Sequence, residues 1–475
     1  MNRLSLDPSI RTELWQRLAE VIENYATRVD GARVTPELDP EKIRSLLKPF
    51  DFKQSLDPIE AMNFVADGLW QHQVHVSHRR YFGLFNPAPT TISIVADALA
   101  AAFNPQLAAW SHSPLAVEIE QHLVRAFAER FGYDPTNSAG TFASGGAEAN
   151  HTGLLTALVH NFPHFARAGL RGLEAQPVFY VSSQSHHSFM KASRLCGLGT
   201  DAVREIPIND DWQMDAKTLQ AQIVKDRRDG FAPFLIVATA GTTNAGVVDP
   251  IPALADIAKE KKLWLHVDAA WGGAAVLVPE LRDTLASIER ADSITFDAHK
   301  WFSVPMAAGL FLTRHRDILN KTFRITADYM PRDAAGLDVI DPYIHSMQWS
   351  RRFIGLKVFL SLAVAGWKGY EETLRHQAAM GDLLRKKLEA ADWQVVNKTR
   401  LPVVCFVDAK TPAGRSAAHI EAITRTVLAS GEAWISSIRI NQDFAALRAC
   451  ITNYRTIESD LDALIATLNR ARQSM

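Results

Sequence analysis

Short apolar runs alternate with longer amphipathic stretches through the middle of the chain, from about residue 90 to residue 345. Helical spacing of apolar positions marks the stretches 117–131 and 251–261. Uninterrupted runs this short are typical of strands that are buried on both faces of a parallel sheet; they cover residues 178–181, 234–238, 263–267, 293–296 and 309–312. The alternation predicts an α/β domain with helices on both faces of a mainly parallel sheet.

The two ends of the chain show other patterns. An apolar stripe over residues 9–28 predicts a helix, and prolines follow it, so we expect an arm that packs on a partner subunit. After residue 346 a long helical stretch, 352–390, precedes shorter strand-like and helical segments. The predicted division is an N-terminal helical arm, a large α/β domain and a small α+β domain, with the bounds 1–85, 86–345 and 346–475.

Composition and charge exclude several classes of protein. The 475 residues are 47% hydrophobic and 22% charged, which is ordinary for globular chains and excludes a largely disordered one. Lys and Arg number 51 against 52 Asp and Glu, so we expect no general nucleic-acid binder. The 3 cysteines are widely spaced, which argues against a disulfide framework or a zinc-thiolate site and favours a reducing compartment. We find no signal-peptide core and no apolar stretch of about 20 residues, and we expect a soluble, cytoplasmic protein.

Ligands of parallel α/β sheets bind beyond the carboxyl ends of the strands, so the residues that follow the apolar runs are the first candidates. These positions hold an acid, a lysine, a histidine and a threonine, namely Asp268, Lys300, His186 and Thr239. Taken alone, each has an ordinary explanation as a loop, cap or core residue. Together, and with the glycine-containing segment before residue 150, they indicate which cofactor the protein binds.

Gly145 and Gly146 precede an apolar helical stretch. Glycines allow close approach of the backbone, and the amides of a helix N-terminus bind phosphate; the alternative is a tight turn. A phosphate cradle, a lysine for a Schiff base, an aspartate for a pyridinium nitrogen and a histidine are the parts that a pyridoxal 5'-phosphate (PLP) enzyme needs. We predict PLP as the cofactor and no metal site.

The motifs TFASGGAEAN (141–150), HVDAA (266–270) and DSITFDAHKW (292–301) resemble those of the group II PLP-dependent amino-acid decarboxylases. This family includes aromatic amino-acid, histidine, glutamate and cysteine-sulfinate decarboxylases, and the resemblance runs from about His78 to Arg455. It implies the aspartate-aminotransferase-like fold type I and a homodimer with active sites at the subunit interface.

The resemblance also implies residue roles. Lys300 would form the Schiff base, Asp268 would pair with the pyridinium nitrogen, and His186 would stack on the ring opposite Ala270. The phosphate would be held by Gly145, Gly146, Ala147 and His299, with Thr239 near the ring. Arg448 matches an arginine at the substrate carboxylate in some members. Where many relatives have Asn-Pro, this chain has Asp297-Ala298, and an aspartate beside a phosphate is repulsive unless it is protonated or turned away.

The family's proton donor is usually a tyrosine on a mobile loop, which here falls between about residues 330 and 347. Tyr343 is the candidate, and the alternative is a tyrosine that serves packing or the subunit interface. Replacement of the loop tyrosine is associated in relatives with oxidative formation of aldehydes.

Aromatic residues favour an aromatic substrate by stacking and apolar burial. They occur in the segments 81–87 and 110–114, which contain the candidate substrate residues Phe82, Phe85 and His112. The alternative is that they form interface core, and His112 with Arg79 or Arg80 would then suit an acidic side chain. An aldehyde synthase, a carbon–sulfur lyase and a non-catalytic PLP-fold binding protein also remain open.

Overall fold

A computed structural model describes residues 4–325, 330, 334, 336–441 and 444–474. Its larger sheet has 7 strands in the order β1-β7-β6-β5-β4-β2-β3. The strands are β1 (Ala139–Ala143), β2 (Pro177–Ser182), β3 (Val203–Ile206), β4 (Ala232–Thr239), β5 (Trp264–Asp268), β6 (Ser293–Asp297) and β7 (Gly309–Thr313). β7 is antiparallel to β1 and β6, and the other neighbouring strands are parallel. The structure confirms the predicted α/β fold with a mainly parallel sheet.

Each apolar run that predicted a strand lies in this sheet, as β2, β4, β5, β6 or β7. The two other strands have weaker sequence signals. β1 has the sequence AGTFA, in which small residues replace a run of large apolar ones. β3, with the sequence VREI, lies at the sheet edge, and its two central residues are not buried. Tertiary pairing, more than local propensity, makes these two segments strands.

The second sheet is antiparallel, with the strand order β10-β11-β9-β8. Its strands are β8 (Trp393–Val395), β9 (Val403–Asp408), β10 (Ser436–Asn441) and β11 (Phe444–Cys450). Two helices near the end of the chain cover it and share a separate hydrophobic core with it. This is the smaller α+β part that the sequence after residue 346 predicts.

Five of the described helices precede the first strand, and the others alternate with strands or follow them. They are α1 (Pro8–Arg28), α2 (Pro40–Leu47), α3 (Pro58–His72), α4 (Thr91–Phe103), α5 (Pro114–Arg130), α6 (Gly146–Asn161), α7 (Phe165–Ala168), α8 (Ser188–Leu195), α9 (Ala216–Arg228), α10 (Ile251–Lys261), α11 (Pro279–Arg282), α12 (Ile318–Phe323), α13 (Gly355–Ala390), α14 (Ala417–Ser430) and α15 (Glu458–Gln473). α13 is interrupted at Gly366, whose φ of 64° is a left-handed conformation that suits glycine. None of the described helices is both long and apolar enough to cross a membrane.

The residues that follow α1 form hydrogen bonds with the small domain. The backbone N–H of Val34 donates to the carbonyl of Gly431 at 2.7 Å, and the hydroxyl of Thr35 donates to the carbonyl of Leu428 at 2.6 Å. α1 itself has no buried residue. Its packing on a partner subunit, and the domain bounds at 85 and 345, stay predictions.

Candidate active site

Asp268 is the last residue of β5, and its carboxylate is buried beneath the start of α6. The Asn150 amide donates to Asp268 Oδ2 at 2.8 Å, and the Ala270 N–H donates to Oδ1 at 3.1 Å. Each oxygen accepts one hydrogen bond from the protein and has a second acceptor position left. The carboxylate is thereby oriented, yet it can still accept a proton donor from a ligand.

A chain of buried hydrogen bonds fixes the orientation of the Asn150 side chain on the side away from Asp268. His266 Nε2 lies 3.1 Å from Asn150 Oδ1, His266 Nδ1 lies 2.8 Å from Ser293 Oγ, and Trp264 Nε1 donates to Ser293 Oγ at 2.8 Å. Because the Asn150 amide nitrogen donates to Asp268, its oxygen accepts, so His266 carries its proton on Nε2 and accepts from Ser293 on Nδ1. Burial lowers the pKa of His266 to about 4, which keeps the ring neutral as this assignment requires.

Sequence reasoning did not assign a role to Asn150, His266 or Ser293. A signal was present, because His266 and Asp268 are two residues apart on one strand and therefore project to the same face of the sheet. The helix side of the contact depends on a glycine. A Cβ at Gly153 would lie 2.8 Å from His266 Cε1, so only glycine lets α6 approach this closely.

Lys300 follows β6, and its ammonium Nζ lies 3.0 Å from Asp297 Oδ2. The Nε2 atom of His299 lies 3.8 Å from the same oxygen. His299 Nδ1 accepts the backbone N–H of Ala308 at 3.0 Å, so the proton of the neutral ring is on Nε2. Burial lowers the pKa of His299, and the Asp297 carboxylate opposes this effect.

The N-terminus of α6 faces these residues. Gly146 and Ala147 are its first two residues, where the backbone N–H groups have no acceptor within the helix. A Cβ at Gly146 would lie 2.7 Å from Asp297 Oδ2, and a Cβ at Gly309 would lie 2.7 Å from the Cα of Gly145. Gly146 therefore has no room for a side chain, and Gly309 lets β7 approach the backbone of Gly145 closely. Close backbone packing at a helix N-terminus is typical of a phosphate cradle.

His186 lies between β2 and α8 and is exposed in the single chain. Its Nδ1 accepts the backbone N–H of Ser188 at 3.2 Å, which fixes the ring. Partial desolvation lowers the pKa of His186, while the nearby carboxylate of Asp268 raises it. Thr239, at the end of β4, lies beside the same segment, because its hydroxyl is 3.1 Å from that of Ser185. The structure therefore brings His186, Thr239, Asp268 and Lys300 to one edge of the sheet.

Arg448 extends from β11 of the small domain, and it is only 2% exposed. Its guanidinium lies 4.8 Å from the ring centroid of Phe85, which stacks on Trp271 at 4.4 Å. Nη1 donates to Ser436 Oγ at 3.1 Å, but the buried Nε and Nη2 groups have no hydrogen-bond partner among the described residues. The ring of Phe85 thus connects Arg448 to Trp271, in the segment that follows Asp268. The Arg448 N–H groups without a described partner suit an anionic ligand.

The remaining predicted residues lie in different surroundings. Phe82 is fully buried in the core of the small domain, so its ring packs inside the fold and does not line an opening. His112 is exposed at the end of a short turn of helix. Tyr343 is half-buried, and its ring lies 4.8 Å from that of Trp349. No described contact joins Tyr343 to Lys300, Asp268 or His186, and its role as proton donor stays a prediction.

These groups fit pyridoxal phosphate. The glycine cradle at the start of α6 would accept a phosphate, Lys300 would offer an amine, and the second acceptor positions of the buried Asp268 would suit a ring N–H. His186 would lie beside the cofactor ring, because it is near both Asp268 and Lys300.

Comparison with known proteins agrees with this fit. The model of the pyridoxal-dependent decarboxylase conserved domain matches residues 40–408. An aromatic-L-amino-acid decarboxylase of Bacillus atrophaeus is 28% identical over 464 residues, which cover 96% of this chain and 94% of that protein.

Two solved structures show the same fold. Oryza sativa TDC, solved with PLP and tryptamine, has a TM-score of 0.91 at 23% identity, with 99% of each chain covered. Rhodiola rosea 4-hydroxyphenylacetaldehyde synthase has a TM-score of 0.87 at 23% identity, also with 99% of each chain covered. Because the family model spans most of the sequence, the chain belongs to the pyridoxal-dependent decarboxylase family and is a PLP-dependent amino-acid decarboxylase.

Proposed function

We propose that this enzyme decarboxylates an aromatic L-amino acid to its amine and CO2, with Lys300 holding the cofactor and Arg448 holding the substrate. When bound, pyridoxal phosphate supplies the electron sink for the pair of electrons that departing CO2 leaves behind. Asp268, held by Asn150 and Ala270, would keep the ring nitrogen protonated. His186 would pack on the ring face and restrict its position.

The buried guanidinium of Arg448 carries this proposal. A buried charge with unpaired N–H groups is costly unless a ligand supplies acceptors. A carboxylate accepts two parallel hydrogen bonds from a guanidinium, which matches the free Nε and Nη2 atoms. The carboxylate of an amino acid bound beside Lys300 is the acceptor that we assign to Arg448.

Several observations favour an aromatic side chain. Phe85 and Trp271 form a stacked pair directly beneath Arg448, with an interplanar angle of 18°. Arg79, a candidate for holding an acidic side chain, is already 3.3 Å from Asp30 and 3.8 Å from Asp460. The Bacillus relative carries an aromatic-L-amino-acid decarboxylase name. Acidic substrates and aldehyde formation are the competing outcomes of the test below.

We propose further that the enzyme is a homodimer. α1 has no buried residue, although it carries large apolar side chains such as Trp15, which is 58% exposed. An exposed apolar helix of this kind is typical of a subunit interface. A second copy of the chain would cover it.

The test is product analysis on a panel of aromatic, acidic and basic L-amino acids with added PLP. CO2, amine, aldehyde and hydrogen peroxide are all measured. Equal amounts of amine and CO2 from aromatic substrates are expected. Amine from acidic substrates alone would overturn the substrate assignment, and aldehyde with peroxide would overturn the assignment as a simple decarboxylase.

Lys300→Ala is the variant that tests the cofactor assignment. It removes the amine that the cofactor aldehyde needs, so we expect turnover to fall below detection and the cofactor absorbance band to be lost. Lys259→Ala, an exposed lysine of α10 at the opposite end of the sheet strands, is the matched control and should keep full activity. Appreciable turnover by Lys300→Ala would refute the role of Lys300.

A further inference from the structure

Asp297 is a buried carboxylate with unusually few partners. It is the last residue of β6 and is 1% exposed. Its Oδ2 atom lies 3.0 Å from Lys300 Nζ, and its buried Oδ1 atom has no hydrogen-bond donor among the described residues. Its charge is therefore balanced mainly by a single ammonium, that of Lys300.

Asp297 also occupies the end of the phosphate cradle. The 2.7 Å between Oδ2 and a Cβ built on Gly146 places the carboxylate against the first residue of α6. The N-terminus of a helix attracts anions, and here an internal carboxylate already lies at the place that would receive the cofactor phosphate. Two anions would share one helix end in the loaded enzyme.

The other charged groups around Asp297 do not replace Lys300. His299 and His186 have pKa values lowered by burial, so neither is a standing cation at neutral pH. Asp268, on the neighbouring strand, adds negative charge. Lys357, behind His299, is already paired with Asp97 Oδ2 at 3.0 Å and donates to two backbone carbonyls.

Cofactor loading weakens the closest charge contact that Asp297 makes among the described residues. When the Lys300 amine condenses with an aldehyde, a C=N bond replaces the C=O bond and one water leaves, so at most one of the three ammonium N–H bonds remains. A buried carboxylate that loses its donors beside an arriving phosphate is better accommodated as the neutral acid.

We propose that PLP loading of this enzyme is coupled to the uptake of one proton, which Asp297 holds in the loaded site. This inference rests on the proposed role of Lys300. The protonated carboxyl donates an O–H to the phosphate side of the site and removes the repulsion. PLP affinity then falls as the pH rises, because the proton becomes scarcer.

The experiment compares the wild-type enzyme with Asp297→Asn, which has the same shape and no titratable group. Cofactor-free protein is titrated with PLP between about pH 6.5 and pH 8.5, and calorimetry in two buffers of different ionisation enthalpy counts the protons bound. PLP titrates in both proteins alike, so the difference between them reports the buried pair of Asp297 and Lys300. We expect the wild-type Kd to rise relative to the variant by up to about tenfold per pH unit, the limit for one linked proton. We also expect the variant to take up about one proton fewer.

The outcomes separate this inference from the proposed function. Borohydride reduction followed by peptide mass spectrometry locates the cofactor adduct in each protein. No adduct on Lys300 in the wild-type enzyme would overturn the proposed function. An adduct on Lys300 in both proteins, with the same pH dependence and the same proton count, would overturn the role of Asp297 alone. If Asp297→Asn folds poorly, the same PLP titration and proton count on Asp297→Ser, which also lacks a titratable group, take its place.

Discussion

Asp268 and Arg448 are both buried charged side chains of the proposed site, but they differ in how far the protein satisfies them. Asp268 accepts hydrogen bonds on both oxygens, and behind it Asn150, His266, Ser293 and Trp264 form a continuous hydrogen-bonded chain. Arg448 makes one short side-chain hydrogen bond, and its buried Nε and Nη2 atoms have no hydrogen-bond partner in the part of the chain that the structure describes.

The difference separates a permanent part of the proposed site, where Asp268 would hold the cofactor, from a transient part, where Arg448 would bind the substrate. A cofactor that stays bound through many turnovers benefits from a carboxylate whose position is fixed in advance. A substrate must enter and leave, so its partner is better left unsatisfied until binding occurs. Stability and activity should therefore respond in opposite ways when the two regions are changed.

Within this comparison, the largest effect is expected from Asp268→Asn. The substitution keeps the size of the side chain but removes the negative charge that would hold the ring nitrogen protonated. We expect kcat to fall by about 100- to 1000-fold, the usual range for loss of one preorganised electrostatic contact in an active site. Steady-state kinetics with saturating PLP measures this, and an unchanged kcat would refute the assigned role.

Arg448→Met should give a smaller loss, and mainly in KM. Loss of a charge-assisted hydrogen bond costs about 1.5–3 kcal/mol, or roughly 10- to 100-fold in affinity. The cofactor-free protein should be as stable as the wild type or more stable, because a buried unpaired charge is removed. Arg448→Lys keeps the charge without the two-pronged geometry and serves as the control. A lower melting temperature with an unchanged KM would mean that Arg448 is structural.

Asn150→Ala tests the permanent part of the site by its effect on the free energy of unfolding. It leaves Oδ2 of Asp268 without its donor, and it leaves the Nε2–H of His266 with only the longer contact to Thr295 Oγ1 at 3.3 Å. The loss costs about 1–3 kcal/mol of unfolding free energy. Asn161→Ala is the control on the same helix, because the Asn161 side chain is only half-buried and donates to backbone carbonyls. Denaturant unfolding of both variants in the cofactor-free state gives the comparison, and equal losses would contradict the special role of Asn150.

The sequence predicted the permanent side of the site better than the transient side. Asp268 and Lys300 follow buried strands, and the strand pattern alone brings them to one edge of the sheet. The small strands β1 and β3 lacked that pattern and became visible only through their pairing. The contacts of Arg448 with Phe85 and Ser436 join segments that are far apart in the chain, and no local pattern encodes them.

The same limit explains the aromatic residues near residue 80. Phe82 and Phe85 are three residues apart and look equivalent in the sequence. Phe82 lies in the core of the small domain, whereas Phe85 stacks between Arg448 and Trp271. Which of two neighbouring rings faces a ligand is decided by the tertiary fold.

The smallest effect on stability is expected from Tyr343→Phe. The ring of Tyr343 lies against Trp349, its backbone N–H donates to the carbonyl of Ala108 at 3.1 Å, and phenylalanine would keep both contacts. The packing alternative predicts less than a twofold change in amine formation and no aldehyde, whereas the proton-donor assignment predicts aldehyde and peroxide. Tyr329, the other tyrosine between β7 and α13, lies outside the described residues and is the matched substitution. Amine, aldehyde and hydrogen peroxide are measured for both phenylalanine variants. Aldehyde and peroxide from Tyr343→Phe, with amine retained by Tyr329→Phe, would make Tyr343 the proton donor and extend the transient part of the site to its segment.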